Sequence, residues 1–413
     1  MKRFVTILLV IVLVFGVGVF SASCKDTPDG QILVGSDFIA EQKAYVKWEG
    51  RYDYTQGEGS NPSKINLYHT ASGFTVDFVG SALYVEFDCT ISGDTEKKRP
   101  YYNVGVDGEL MPTTSEDRTF YLSGGRERVT IVDGLEFGNH TVTCLKMSEP
   151  YDALTSIVSM ETDGEFVERD VEYDKGNFKF MFVCASGGSG HGSLGFSDDG
   201  GSLGRTTRNS SSLHSFNYLT ARIFGADVQY VGNSGWGVSF PSSQSVFDVL
   251  DYSGITTSNN VNGAKTTALW DYNKWIPDVI IFNIGGNDTT ASGFNKATYQ
   301  SEVVQMVKKL HDKYPNAYMV WTHTESNAGR YAVSAMTDAG IMKEDYMAVA
   351  IIPKVGANYN DEVMGVGANG HNSLKSHIVS ADIIANTLCD KWGFMKLNQN
   401  IKFSDYERVL QMF

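Results

Sequence analysis

The stretch Lys179-Phe-Met-Phe-Val-Cys-Ala-Ser186, with Gly187, Gly188, Gly190 and Gly192 close behind it, decides how this chain is read. An apolar run of strand length that ends in glycine predicts a buried strand running out into a tight turn. A serine on a strand-to-helix turn of that kind is lifted above the sheet edge. Its hydroxyl is exposed and backbone N–H groups surround it. A Gly/Ser-rich loop without chemistry has the same local pattern, so the choice depends on what else reaches this edge.

Downstream the pattern alternates between strand and helix. Strands are expected at Phe178–Cys184, Val228–Val231, Val279–Ile284, Ala317–Thr322 and Tyr346–Ile352. Between Ser212 and Phe224, Leu213, Phe216, Thr220 and Ile223 share one helical face, and Gly225 stops it. Tyr299, Val303, Met306, Val307, Leu310 and Tyr314 form a second stripe of helical period, ended by Pro315, and Leu374–Trp392 forms the last helix. Such repetition predicts a parallel sheet with helices on both faces, whose sites lie at the carboxyl ends of the strands. Ser186 stands at one such end, Asn233–Trp236 and Gly285–Asp288 at two others, and His371 follows the last strand. Four loops therefore converge on one edge. The polar segment 197–212, with Arg205 and Arg208, is expected to be a mobile flap or a plain surface loop.

Upstream, from Tyr45 to about Met160, short alternating runs are split by turns such as Asp107-Gly108 and Asp133-Gly134. Tyr45–Tyr54, Gly73–Val79, Ala82–Phe87, Tyr102–Val106, Val129–Val132 and His140–Leu145 read as strands of a β-sandwich. The expected organisation is a targeting segment 1–24, a tether 25–40 and a sandwich 41–163. A polar junction 164–177, an α/β domain 178–395 and a tail 396–413 follow. A length of 413 residues suits two domains.

A net charge of −14 argues against nucleic acid as a partner. Lys2 and Arg3, the apolar run Phe4–Phe20 and Ser21-Ala22-Ser23-Cys24 resemble a lipoprotein signal, with Cys24 as the lipid-bearing residue. Ser21 stands where such signals usually carry leucine. The other reading of this segment is an uncleaved anchor, slightly short of the ~20 residues needed to span a bilayer. Either reading exports the rest of the chain to the cell envelope. Cys89, Cys144, Cys184 and Cys389 lack metal-ligand spacing. They read as buried thiols, with a Cys89–Cys144 pair as the other option. No motif indicates a metal or an organic cofactor.

Acyl transfer from an ester needs a nucleophile, a base and donors for the developing oxyanion. Ser186 offers the first, His371 the second. The Ser186 N–H, the Gly235 N–H and the Asn287 side-chain amide offer the third. Ser189 is a rival nucleophile. Trp236 offers a face for a sugar ring or a side chain for the core. His191 is a substrate contact or a structural loop residue. His323 lies where it can line the cleft, His377 falls inside the last helix, and Asp288 can brace the Asn287 loop.

Ser186-x-x-x-Gly190-x-Gly192, Gly235, Gly285-Gly-Asn-Asp288 and His371-Asn-Ser373 stand in the order found in SGNH (GDSL-type) hydrolases. With Gly50-Arg-Tyr-Asp-Tyr54 and Gly134–Val142 upstream, the chain resembles carbohydrate esterase family 2, the acetylxylan esterase type, from about Tyr45 to Trp392. The resemblance implies a β jelly-roll before the hydrolase domain. It also implies removal of acetyl groups from polysaccharides such as xylan or mannan. Two positions depart from the family pattern. Cys184-Ala185-Ser186 replaces Gly-Asp-Ser, and Ala368, Asn369 and Gly370 stand where an aspartate usually precedes the histidine. Members that work with a Ser–His dyad hold the imidazole on a backbone carbonyl, and the resemblance implies that arrangement here. The missing aspartates keep open a decayed, glycan-binding lipoprotein. An esterase acting on lipid or on bacterial wall glycan is a third reading.

Overall fold

The computed structural model describes residues 30–40, 44–108, 119–170, 177–195, 204–239, 245–255, 267–356 and 365–397. Cys24 and the rest of the targeting segment lie outside them, as do 197–203 and most of the tail.

The first domain is a sandwich of two antiparallel sheets. One has the order β3 (Tyr52–Thr55), β4 (Lys64–Leu67), β11 (Ala153–Thr162), β6 (Leu83–Ile91), β9 (Gly125–Val132), with β1 (Ile32–Val34) also on β11. The other runs β12 (Glu165–Val167), β5 (Gly73–Gly80), β10 (Gly138–Lys146), β7 (Tyr101–Val106), β8 (Thr119–Tyr121), with β2 (Val46–Glu49) also on β5. Alternation places Ile65, Leu67, Val85, Phe87 and Ile157 opposite Phe74, Val76, Phe78, Val104 and Val142 in one core. Cys89 and Cys144 are unpaired thiols buried there.

Two boundaries move. The expected tether contains β1 and a 3-10 turn, Gly35–Ile39, which bury Leu33 and Phe38; Phe38 accepts a hydrogen bond from the Trp48 indole at 3.1 Å. The expected junction contains β12, paired with β5. In both places a few apolar residues among polar ones suffice to edge a sheet.

The second domain is a parallel sheet in the order β14 (Asp227–Gly232), β13 (Lys179–Cys184), β15 (Val279–Asn283), β16 (Tyr318–His323), β17 (Met347–Ile351). Its five strands match the sequence reading to within about a residue at most ends. Successive side chains go to opposite faces, which is why each strand is apolar throughout. Phe180, Phe182, Tyr230 and Ile281 face helices Phe216–Ile223 and Leu374–Trp392. Met181, Val183, Phe282 and Trp321 face helices Lys296–Lys313 and Asn327–Asp338. The stripe Tyr299, Val303, Met306, Val307, Leu310 is wholly buried.

Because β14 and the later strands lie on opposite sides of β13, the chain switches direction between β13 and β15, the place where such sheets open a crevice. Cys184 is level with Gly232 on one side and Asn283 on the other. Three strands therefore end together beneath Ser186.

The two domains share a continuous contact. Fully buried Arg51 donates from Nε to Gln229 Oε1 (3.0 Å), and from Nη1 to the Leu250 and Tyr252 carbonyls (2.6 and 2.8 Å). Ala71, Tyr101, Leu145 and Met147 of the sandwich join the core on one face of the parallel sheet. A Cβ on Gly254 would come within 2.0 Å of the Tyr68 ring.

Candidate active site

After Cys184 the Ala185 N–H still donates to Asn283 (3.0 Å), and then the chain turns. Ser189 N–H reaches back to the Ala185 carbonyl at 3.1 Å and His191 N–H to Ser186 at 3.2 Å. The turn does not lead directly into a helix as the sequence pattern suggested; successive tight turns occupy 186–194 instead. Gly190 and Gly192 have φ of +76° and +67°, and a Cβ on either would strike a carbonyl oxygen, of Ser211 or of Ala368. The glycines are therefore needed for packing this loop.

Ser186 Oγ lies 2.9 Å from His371 Nε2. His371 Nδ1 lies 3.0 Å from the Asn369 carbonyl, which can only accept, so Nδ1 carries the proton and Nε2 is free to accept one. Asn369 reaches this position at φ +55°, a left-handed conformation asparagine tolerates. No carboxylate touches the imidazole among the described residues; a backbone carbonyl orients it.

Withdrawal from water, and then the neighbouring His191, push the His371 imidazole down to about 4. The group is charged below that value and neutral, hence able to act as a base, above it. We expect kcat/KM on an acetyl ester to rise through about pH 4 and to hold from there to neutrality. A pH series reads this directly. A rising limb centred at the ordinary imidazole value of ~6.5 would contradict the environment described.

The donor side is built from three loops. Gly235 (φ +81°) follows β14, and neither its N–H nor that of Ser186 has an acceptor among the described residues. Asn287 follows β15; its Nδ2 gives one hydrogen to the Trp236 carbonyl at 2.8 Å. Ser186, Gly235, Asn287, His371, His191, Ser234 and Tyr151 line one cavity of about 300 Å³. On the other side of Ser186 a second cavity, of about 170 Å³, is bounded by Asn283, Thr322, His323, Ser326 and Asn372 among others.

The structure decides among, or replaces, the readings the sequence left open for the other residues. Trp236 is 2% exposed and packed in the core, so it presents no face to a sugar; its contribution is the carbonyl that holds Asn287. Ser189 is buried, its hydroxyl donated to the Ala185 carbonyl, which removes it as a nucleophile. The described part of 197–212 is no flap: residues 207 and 209–212 are buried, and Arg205 makes a two-point ion pair with Asp152 of the sandwich. Asp288 accepts from the Val238 and Ser239 N–H groups, bracing the loop after Gly235. His377 accepts from the Phe216 N–H inside the core, and His323 lines the smaller cavity.

The sequence reading missed Glu149. This buried residue comes from the sandwich, in the turn between β10 and β11. Glu149 Oε1 lies 3.0 Å from His191 Nδ1 and 3.5 Å from Arg205 Nη2, while Oε2 accepts the Ser234 N–H at 2.7 Å. The Ser234 hydroxyl touches both oxygens, at 2.8 and 2.7 Å. Burial alone would raise this carboxyl, but His191, Arg205 and Ser234 outweigh it and hold the group below the usual carboxylate range. The His191 and His371 rings are 4.4 Å apart between centroids. His191 is thus both structurally bonded and at the cavity wall. Among the described residues no cluster of His, Cys, Asp or Glu is arranged to hold a metal.

A hydroxyl bonded to an oriented imidazole, beneath converging amide donors, has the parts of a serine acyl-transfer centre. The chain belongs to the GDSL-like lipase/acylhydrolase family, whose model matches residues 187–402. It is 22% identical over 372 residues to the cellulase/esterase CelE of Acetivibrio thermocellus, covering 86% of this chain and 40% of that protein. It is 26% identical over 216 residues to an acetylxylan esterase/glucomannan deacetylase of Cellvibrio japonicus, covering 49% of this chain and 57% of that one. The chain thus spans well under two thirds of the length of these relatives. In fold it is similar to a family two carbohydrate esterase from Clostridium thermocellum solved with cellohexaose. That match has a TM-score of 0.69, 19% identity, and covers 85% of this chain and all of the other. An acetyl xylan esterase from the rumen bacterium Butyrivibrio proteoclasticus is similar too, with a TM-score of 0.70, 18% identity, and 89% and 100% coverage.

Proposed function

We propose that this chain is a serine esterase that removes O-acetyl groups from plant-type polysaccharides or oligosaccharides such as xylan or mannan. The observation that carries the reading is the 2.9 Å contact between Ser186 Oγ and the acceptor nitrogen of an imidazole held by the Asn369 carbonyl. His371 takes the serine proton as Oγ attacks the acetyl carbonyl. The oxyanion is received by the N–H groups of Ser186 and Gly235 and the free hydrogen of Asn287 Nδ2. His371 then protonates the sugar oxygen as it leaves, and water releases acetate from Ser186 by the reverse sequence. The likeness to an acetylxylan esterase/glucomannan deacetylase supports the choice of substrate class. An intact dyad, despite the missing aspartates, favours an enzyme over a decayed binder. The larger cavity bordering Ser186 is walled by Tyr151, His191, Ser234, Asn287 and Asn369, groups suited to sugar hydroxyls, while the smaller one mixes Asn283, Thr322 and Asn372 with Phe216, Ile284 and Ile352.

The same proposal places the protein outside the cytoplasm, tethered to the envelope through a lipid on Cys24 or released from it. Metabolic labelling with a palmitate analogue, lost in Cys24→Ala, tests that part.

The activity is tested by acetate release from acetylated xylan and glucomannan, alongside p-nitrophenyl esters of increasing length. We expect turnover of acetate and propionate esters and a steep fall beyond about butyrate, as a site shaped for acetyl groups requires. Turnover that grows with chain length would move the chain to lipid-like substrates. Silence on every acetyl ester would leave the binder.

A further inference from the structure

We propose that Glu149, which the β-sandwich domain carries to the site, is a positioning residue for the oxyanion hole: its carboxylate grips Ser234 and thereby sets the direction of the Gly235 N–H. This rests on the esterase reading above and assigns the first domain a part in the chemistry.

The geometry is a clamp on one short loop. Ser234 gives Glu149 both its backbone N–H (2.7 Å) and its hydroxyl (2.7 and 2.8 Å). The residue before it, Asn233, accepts the Tyr151 N–H at 3.1 Å, so two adjacent residues of the loop are held by one sandwich turn. The residue after Gly235, Trp236, is tied by its carbonyl to Asn287. Gly235 itself, at φ +81°, has no side chain to restrain it, so its peptide plane is set by what holds Ser234 and Trp236. A buried carboxylate is costly unless paired and bonded. Here Arg205 and His191 keep it ionised, and hydrogen bonds to an ionised acceptor are the strong ones. A neutral residue of equal size would fill the same space without that grip. Small misplacements of a donor are felt in the rate, since the oxyanion hole works by donors already aimed where charge develops.

The test is Glu149→Gln in the full chain, assayed with p-nitrophenyl acetate beside the wild type, with Ser234→Ala as a second variant. Losing a whole oxyanion donor costs about 10²–10³ in kcat, so a loosened one should cost about 10–100-fold, with KM within about threefold. Ser234→Ala, which keeps the backbone N–H, should lose less in the same direction. Labelling of Ser186 with diisopropyl fluorophosphate should still reach one per chain in both variants, only more slowly, which shows that the fold and nucleophile are intact. If the wild type turns over and Glu149→Gln keeps its kcat, the clamp is wrong and the esterase reading stands. Loss confined to KM, or a labelling end-point that falls in step with activity, would mean a merely structural role and overturns the clamp. A wild type that releases no acid fails at the earlier step and takes the clamp with it.

Discussion

Ser186→Ala should lower kcat on an acetyl ester by at least about 10⁴-fold, and His371→Ala by a similar factor. In serine hydrolases the two groups act as one unit, so removing either costs about as much as removing both. The double variant should therefore be no slower than Ser186→Ala alone. That non-additivity follows from the 2.9 Å contact: without the imidazole the hydroxyl keeps its proton, and without the hydroxyl the imidazole has nothing to activate. KM should stay within a few-fold, because the cavity walls from Tyr151, His191 and Ser234 remain. Stability should also hold, since Ser186 lines a cavity on each of two sides and the deletion removes one oxygen. Activity surviving in Ser186→Ala would show that acetate is released elsewhere, and two independent, additive losses would show that the pair does not work together.

Much of this centre was legible in the sequence because the parallel sheet forces it. A strand buried on both faces must be apolar throughout, so Phe180 to Cys184 and Val279 to Phe282 announce themselves. Glycine must follow where the chain turns under Ser211 and Ala368. That Ser186, His371 and the loops of Gly235 and Asn287 meet at one edge then follows from strand ends lying side by side. Several sandwich strands were less legible. β4 (Lys64–Leu67) has two core residues, and β1 lies in a polar stretch with only Leu33 pointing in. β11 is ten residues long, but serine and threonine interrupt its apolar pattern.

The sequence left Trp236 between a sugar platform and a core side chain, because an aromatic beside a loop glycine suits either. The loop turns that ring inward, and the peptide carbonyl is the part that meets the site. Glu149 and Arg205 had no local signal. The partners of Glu149, and the carboxylates that Arg205 meets, lie 42 to 85 positions away and in another domain, so only the docking of sandwich against sheet brings them together. The one hint was an acidic turn, Glu149-Pro-Tyr-Asp152, after the β10 strand: two carboxylates that a fold buries need a cation, and the Arg205 segment supplies it.

That pairing makes Arg205→Ala the substitution with the largest expected effect on stability. The Arg205 side chain is 7% exposed and that of Asp152 not at all, and the guanidinium meets both carboxylate oxygens, with Nη2 to Oδ2 at 2.6 Å. Its Nε also donates to the Ser210 hydroxyl at 3.0 Å, and Nη2 reaches Glu149 at 3.5 Å. Removing the cation leaves two carboxylates of one turn buried without it. Breaking a buried pair from one side typically costs about 3–5 kcal/mol, most of it the penalty on the charge left behind. We expect a loss of that size in the unfolding transition followed by urea and tryptophan fluorescence at neutral pH. Glu149 should also lose part of what holds its carboxyl low. A carboxylate depressed in the folded state adds stability above its unfolded pKa and loses it as pH falls through the folded value. The gap between wild type and Arg205→Ala should therefore narrow as the medium is acidified below about 4.5. Arg205→Lys restores charge but not the two-point grip, so it should recover only part of the loss. Adding Asp152→Ala to Arg205→Ala should cost less than the sum of the two single changes, because the second removes the very charge that the first exposed. Additive losses, or an Arg205→Ala chain as stable as the wild type, would mean that the two domains are not joined through this ion pair.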